Sequence, residues 1–238
     1  MEEEIYFRRF DRYRLTNFSD ALAEVYSQSE FMSRYMNFLL LSHVLWDNHA
    51  RAMAHFEDRY LRDLPPGSEH LEIGPGHGLL LHLAAAAPSV SGVTGWDISQ
   101  TSIDQATGCL RALGDTGRVR LVIRDLFEAP ADERDEPRFA SAALSEILEH
   151  LEDPVAALRA TARRLRPGGR LWVNVPVNSP APDHIYLFRT PEEAVDAVEA
   201  AGFEVSETAF FPMTGHSIER ARKRKLTITT VISARLAS

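Results

Sequence analysis

The chain has 238 residues, with 26 Lys+Arg against 34 Asp+Glu for a net charge of −8, 45% hydrophobic residues and 25% charged. That is a globular composition, long enough for one full-sized domain with an appendage to bury a core unaided, and too acidic to coat a nucleic acid, whose phosphates need a basic surface. Cys109 is the only cysteine, which excludes a disulfide scaffold, and the longest apolar runs, 38–41 and 83–88, fall far short of the roughly 20 residues that span a bilayer. Residues 1–4 are acidic where a secretory leader is basic, so a cytoplasmic protein with no membrane or nucleic-acid partner is expected.

Two regimes divide at Leu64-Pro65-Pro66-Gly67. Before it, residues 19–64 carry apolar positions at helical spacing (Leu22, Val25, Tyr26, then Phe31, Tyr35, Phe38, Leu39), with Ser19 and Ser29 as N-caps. Residues 1–66 therefore read as a helical cap or lid and residues 67–238 as the main domain. After the break, short β-branched runs alternate with helical stretches, the pattern of βαβ units around a parallel sheet. The spacing predicts strands at 69–73, 92–97, 119–124, 140–146 and 170–175, and helices at 78–86, 100–113 and 153–166, the last stopped by Pro167-Gly168-Gly169. A further helix, 190–201, has Thr190 as cap, Pro191 at its first position and Glu193 three after the cap. Two β-like runs follow, 203–211 and 226–234.

The most informative run is His70 to Gly78, an apolar strand that delivers Glu72 and then Gly74, Gly76 and Gly78 directly into a helix. Alternate glycines remove side chains where backbone must touch a ligand, and the helix N-terminus behind them offers free N–H groups. A nucleotide-like ligand is implied. Leu79 stands where a dinucleotide fingerprint needs its last glycine, and no phosphate-binding G-x-x-x-x-G-K-[ST] loop exists. Asp97 ends the next strand, placed to accept both ribose hydroxyls, with Ile98 offering an apolar face to adenine; Asp125 ends the strand after, placed to accept from the adenine amino group.

At these residues the chain resembles the class I S-adenosylmethionine-dependent methyltransferases. The likeness runs from about Glu69 to Ala201 and comprises E-x-G-x-G-x-G at Glu72 to Gly78, Asp97, Asp125, the segment Ser145 to Leu151 after the fourth strand, and Leu165 to Gly169 leading into the fifth. The resemblance implies an α/β Rossmann-like fold with a seven-stranded, mostly parallel sheet whose last strand, 226–234, is antiparallel. It implies S-adenosylmethionine as cofactor and S-adenosylhomocysteine as product, with Gly74, Gly76 and Gly78 beside the methionine part, Asp97 on the ribose and Asp125 on the adenine. Glu72, Ile98, Leu126 and Glu146 complete the expected cofactor-binding set.

Methyl transfer from a sulfonium is an in-line displacement with an activated leaving group, so a base is needed only when the acceptor must lose a proton, as a hydroxyl does. His184, in the loop after the fifth strand, is the first choice for that base, with Asp183 close by, and His150 the second. The expected acceptor is a small aromatic or apolar molecule, with O-methylation favoured over N- or C-methylation: the family's N-P-P-Y loop and Pro-Cys nucleophile are both absent. Glu146, Glu149 and His150 also resemble the metal-binding E-x-x-E-H segment of some quinone-pathway and small-RNA O-methyltransferases, an alternative in which Mg or Mn assists; the primary reading has no metal. A cofactor-binding subunit without catalysis is a rival of a different class. Tyr6, Phe7, Phe10, Tyr13, Tyr26, Phe31, Tyr35, Phe38 and Trp46 suit the walls of a lid. His43, Asp47, His49 and His55 read as solvated helix residues, and the basic run Arg220 to Lys225 as an exposed turn.

Overall fold

In the computed structural model, which describes residues 2–26, 38–115, 117–128 and 139–237, the chain builds one seven-stranded sheet. Its strands are β1 (Ser68–Ile73), β2 (Val90–Asp97), β3 (Val119–Ile123), β4 (Phe139–Ser145), β5 (Leu165–Val177), β6 (Phe203–Pro212) and β7 (Ile228–Leu236). They lie side by side in the order β3-β2-β1-β4-β5-β7-β6. Pairs from β3 to β5 are parallel, and β7 runs antiparallel between β5 and β6. The expected Rossmann-like α/β architecture with a reversed last strand is therefore present. Each expected helix after residue 67 is present within a few residues: Leu79–Ala86, Gln100–Ala112, Pro154–Arg164 and Pro191–Ala200. The last two open with the Asp153 and Thr190 side chains accepting from Ala156 and Glu193 N–H groups and with proline in the first turn.

Successive residues on the strands serve opposite faces, as the two-residue period requires. Leu144, Val173 and Ile232 pack beneath Pro154–Arg164 and Pro191–Ala200, while Ala143, Trp172 and Val231 face the other way. That second face is covered by helix Leu79–Ala86 and by residues 47–64, whose Ala52, Phe56, Tyr60 and Leu61 are fully buried or nearly so. The Tyr60 hydroxyl donates to the carbonyls of Ala142 and Arg170 at 3.0 and 3.1 Å, and Asn48 donates to Thr229 Oγ1 at 2.9 Å. Residues 47–64, which the sequence grouped with the cap, are thus part of the sheet's own core.

The cations of the basic run are exposed, as expected, but the run is helical and not a turn. Ile218–Arg224 is a short helix capped by Ser217, because Arg222 forks onto Glu192 at 2.7 and 3.1 Å and the cations give it partners on neighbouring elements. Arg8 donates to the carbonyls of Arg224 and Lys225 at that helix's C-terminal end, and Lys225 reaches Asp11 at 2.8 Å. Helix Glu2–Phe10 is held against the domain by these contacts. Among the described residues no helix is long and apolar enough to cross a membrane.

Phe56 is fully buried, its ring centroid 4.9 Å from that of Trp172 and 5.7 Å from that of Tyr60. Truncating it to alanine leaves a cavity under the sheet. We expect Phe56→Ala to lower unfolding stability by about 3–5 kcal/mol in urea titration, by a shift of midpoint at unchanged slope.

Candidate active site

Parallel strands β1 to β4 all deliver their carboxyl ends to one edge, and ligands of open α/β sheets bind there, where the strand order reverses. A cavity of about 670 Å³ opens at that edge. Its floor is the turn after β1. Gly74 has φ +63°, and a Cβ on it would collide with Ile147 Cδ1, so this glycine makes room for the segment after β4. Gly76 lines the cavity. Gly78, with φ +79°, caps helix Leu79–Ala86 and sits against Leu110 and Ala106.

The three expected carboxylates all line this cavity. Glu72, 2% exposed, has one carboxyl oxygen without a hydrogen-bond partner, and burial pushes its pKa well up. Asp97 at the end of β2 accepts from the Ser99 N–H at 2.8 Å, which opposes the upward push of burial. Asp125 is exposed and accepts from the Phe127 N–H at 2.8 Å. Ile98, 56% exposed, and Leu126, buried, stand in the same wall. Beneath them Trp96 carries the Arg124 guanidinium at 4.3 Å.

Beyond β4 the backbone turns sharply, with Glu146 at φ +54°, a conformation few residues with a side chain adopt. The next turn brings Glu149 inward, completely buried, and the loop after β5 brings His184 to it. His150 Nε2 and His184 Nε2 lie 3.8 and 3.9 Å from Glu149 Oε1, and the two rings stand edge to face at 4.9 Å. Each imidazole is oriented by a carbonyl on its other nitrogen: His150 Nδ1 by Asp183 at 3.1 Å, His184 Nδ1 by Ser179 at 2.6 Å. In the neutral rings those Nδ1 atoms donate, so both Nε2 lone pairs face the carboxylate. Neither Glu149 oxygen, nor Glu146 Oε1, receives a hydrogen bond. Burial pushes both carboxyls up, Glu146 to about 8 and Glu149 with added repulsion from Glu146 and Asp183, while burial holds His184 down to about 4. Glu149, His150 and His184 each offer a ligand atom, all within 4.8 Å of one another.

Of the aromatics expected in a lid, Tyr13 reaches this cluster: its ring sits 5.7 Å from that of His184 and its hydroxyl accepts from the Ser179 N–H at 3.0 Å. Phe31, Tyr35 and the Tyr26 side chain lie outside the described residues. Among the described residues, the apolar ones of the N-terminal segment that line the cavity are instead Phe18, Leu22 and Leu39. Nor are the cap histidines solvated. His49 and His55 are 7% and 8% exposed, because helix Asp47–His55 is wedged between sheet and cavity; Asp47 alone of the four is exposed as expected. Ser42, His43 and His49 line the cavity together with His77 of the glycine turn. The sequence displayed His77 inside the most informative run, yet nothing in it says that residues 38–49 pass over that turn.

The methyltransferase-domain family model matches residues 45–223, three quarters of the chain. The chain belongs to that family. It therefore carries a methyltransferase domain. Among curated relatives, the chain is 35% identical over 105 residues to a ubiquinone biosynthesis O-methyltransferase of Alkalilimnicola ehrlichii, covering 44% of this chain and 40% of that one. It is 31% identical over 154 residues to an O-methyltransferase of Pyrenophora dematioidea, covering 60% of this chain and 56% of that one. The matches therefore span only about half of either relative. In fold it is similar to the 1,6-didemethyltoxoflavin-N1-methyltransferase of Burkholderia thailandensis, at 21% identity, with a TM-score of 0.62 and coverage of 88% and 87% of the two chains.

Asp97→Ala removes the carboxylate at the end of β2 and leaves the rest of the cavity wall in place. Charge-assisted hydrogen bonds contribute about 1.5–3 kcal/mol, so calorimetry with S-adenosylhomocysteine should show affinity weakened roughly ten- to a hundredfold.

Proposed function

We propose that this methyltransferase moves the methyl group of S-adenosylmethionine to a hydroxyl of a small aromatic or apolar acceptor. The observation that carries this reading is the convergence of the Glu149 carboxylate with the lone pairs of His150 and His184 on the cavity wall beyond β4 and β5. Proton acceptors gathered in a dry wall are of use to an acceptor that must lose a proton before it attacks. Two of the relatives carry O-methyltransferase in their names, which supports the same choice.

On this reading Gly74, Gly76, Glu72, Asp97, Ile98, Asp125, Leu126 and Glu146 hold the cofactor, and Phe18, Leu22 and Leu39, from the chain before helix Asp47–His55, close the acceptor side as a lid. The protein's task is alignment, since the sulfonium already provides the leaving group. The hydroxyl proton goes to the cluster. His184 is a weak base there, because burial disfavours its charged form; Glu149, whose carboxyl burial pushes up, is the stronger proton acceptor, and His184 orients the hydroxyl toward it.

A second reading is favoured by the same partnerless oxygens. Three acceptor atoms within 4.8 Å, with both Glu149 oxygens and Glu146 Oε1 unbonded, fit a divalent cation held by Glu149, His150 and His184 with Glu146 beside it. Oxygen and imidazole donors suit Mg or Mn. Such a cation would supply a Lewis acid that lowers the acceptor hydroxyl's pKa.

Incubation with methyl-labelled cofactor and a panel of small phenols, amines and carbon acids, read by mass spectrometry, should place label on hydroxyl oxygen; label confined to nitrogen or carbon overturns the reading. Chelation followed by Mg or Mn addition decides between the two versions: loss and recovery of turnover selects the cation, unchanged turnover the direct proton transfer. In either case we expect Glu149→Gln to lower kcat by about a hundredfold or more while leaving S-adenosylhomocysteine affinity within about threefold.

A further inference from the structure

The wall above the glycine turn is made of imidazoles. His77, between Gly76 and Gly78, and His43, from the helical residues 38–45, meet with their Nε2 atoms 3.0 Å apart and their rings nearly perpendicular. The His49 ring lies 5.5 Å from that of His43, its Nδ1 2.9 Å from the Ser42 hydroxyl. The proton positions of the pair follow from their partners. The Leu79 N–H donates to His77 Nδ1 at 3.2 Å, so a neutral His77 carries its proton on Nε2. That proton points to His43 Nε2, which accepts it, and the His43 proton is left on Nδ1, a buried atom with no hydrogen-bond partner. One proton bridges two rings, and one N–H is unanswered.

Fixed positive charge is scarce around this pair. Among the described cavity-lining residues the only arginine or lysine is Arg124, which lies over Trp96 near the ends of β2 and β3. A carboxylate arriving at the glycine turn meets imidazoles instead. The titratable group beside the pair is His49, from helix Asp47–His55; Glu72, Asp97 and Glu146 line the same cavity from β1, β2 and the turn after β4.

We propose that His43 and His77 clamp the amino-acid carboxylate of the cofactor, and that its binding draws one proton from solvent onto the pair. This rests on the cofactor reading of the glycine turn. In the free protein the rings share a proton. With the carboxylate between them, His77 turns its Nε2–H to one oxygen, and His43 gains a proton on Nε2 while keeping that on Nδ1, becoming an imidazolium. No covalent bond to carbon or sulfur changes; one proton enters on binding and returns to water when the product leaves.

The sign can be worked out. Burial holds the free imidazoles at about 4, and an adjacent anion raises them toward or above the ordinary value of about 6.5. Affinity therefore strengthens as pH falls through the bound pair's pKa, and levels off only near the free value. Glu72 and Glu146 act in the opposite sense: burial pushes both up, and the cofactor's cationic amino group favours release of their protons. The ligand carboxylate separates the two effects.

The test is calorimetry of the full chain with S-adenosylhomocysteine and with its decarboxylated analogue, which keeps the amine, in buffers of different ionisation heat. S-adenosylhomocysteine should take up more protons than the analogue near pH 6.5, and its Kd should tighten about threefold or more from pH 8 to pH 6 relative to the analogue's. His43→Gln should bring the proton counts of the two ligands together. Equal counts on the unmodified protein, or an uptake that persists in His43→Gln, would overturn the clamp while leaving the cofactor site standing. Absence of heat with both ligands would overturn the reading of the turn itself.

Discussion

Carboxylates and imidazoles withdrawn from water cost free energy unless a partner of opposite character comes to meet them, and the carboxyl edge of this sheet is where they collect. Glu72 lies near the end of β1, Glu146 and Glu149 follow β4, and His77 and His184 sit in the loops beside them, all buried except the half-buried Glu146. The protein's own groups leave several of these atoms unanswered. An adenosyl sulfonium with its amine and carboxylate, and an acceptor bearing a transferable proton, are complementary to that set. The site is thus a region of unfinished electrostatics, and the rest of the fold serves to hold it dry and in register.

Two devices do the holding. Gly74 and the turn after β4 are coupled, because the missing Cβ of Gly74 is the space that Ile147 occupies. The strained backbone at Glu146 follows from the same fit, with its N–H anchored on the Asn174 carbonyl at 2.8 Å across to β5. The second device is the N-terminal segment. Asp11 receives both Arg189 and Lys225, and Tyr13 supports the Ser179 peptide that in turn fixes His184. A chain of contacts therefore runs from the surface ion pairs of residues 8–14 to the imidazole at the cavity wall. The ion pairs themselves are exposed and contribute little stability individually; what they fix is where Tyr13 lies.

A second cleft of about 680 Å³ illustrates the contrast. It lies around Arg59, Arg62 and Arg170, and each of these cations already has its carboxylate: Glu207 at 2.8 Å, Asp58 at 2.7 Å and Asp63 at 3.3 Å. Size alone does not distinguish the two cavities. The charges of one are satisfied within the protein, and those of the other are not.

The sequence by itself determined the strands, the helices after residue 67, the sheet's class and the carboxylates along its edge, because each is a local matter. Period-two burial, caps such as Asp153 and Thr190, and acids at strand ends are written within a few residues of where they act. It did not determine that residues 47–64 belong to the core, since a buried amphipathic helix and a lid helix share one spacing, and only the sheet face beneath decides. It grouped Glu149 with His150 and marked His184 apart, but could not bring His184 to that pair, which needs the loop after β5 folded back onto the turn after β4. Gly78 looked like its two neighbours in sequence; only the fold shows that it also caps one helix and packs on another. The meeting of His43 with His77 is of the same kind: residues 34 apart acquire a shared proton only when the chain between them has folded back over the turn.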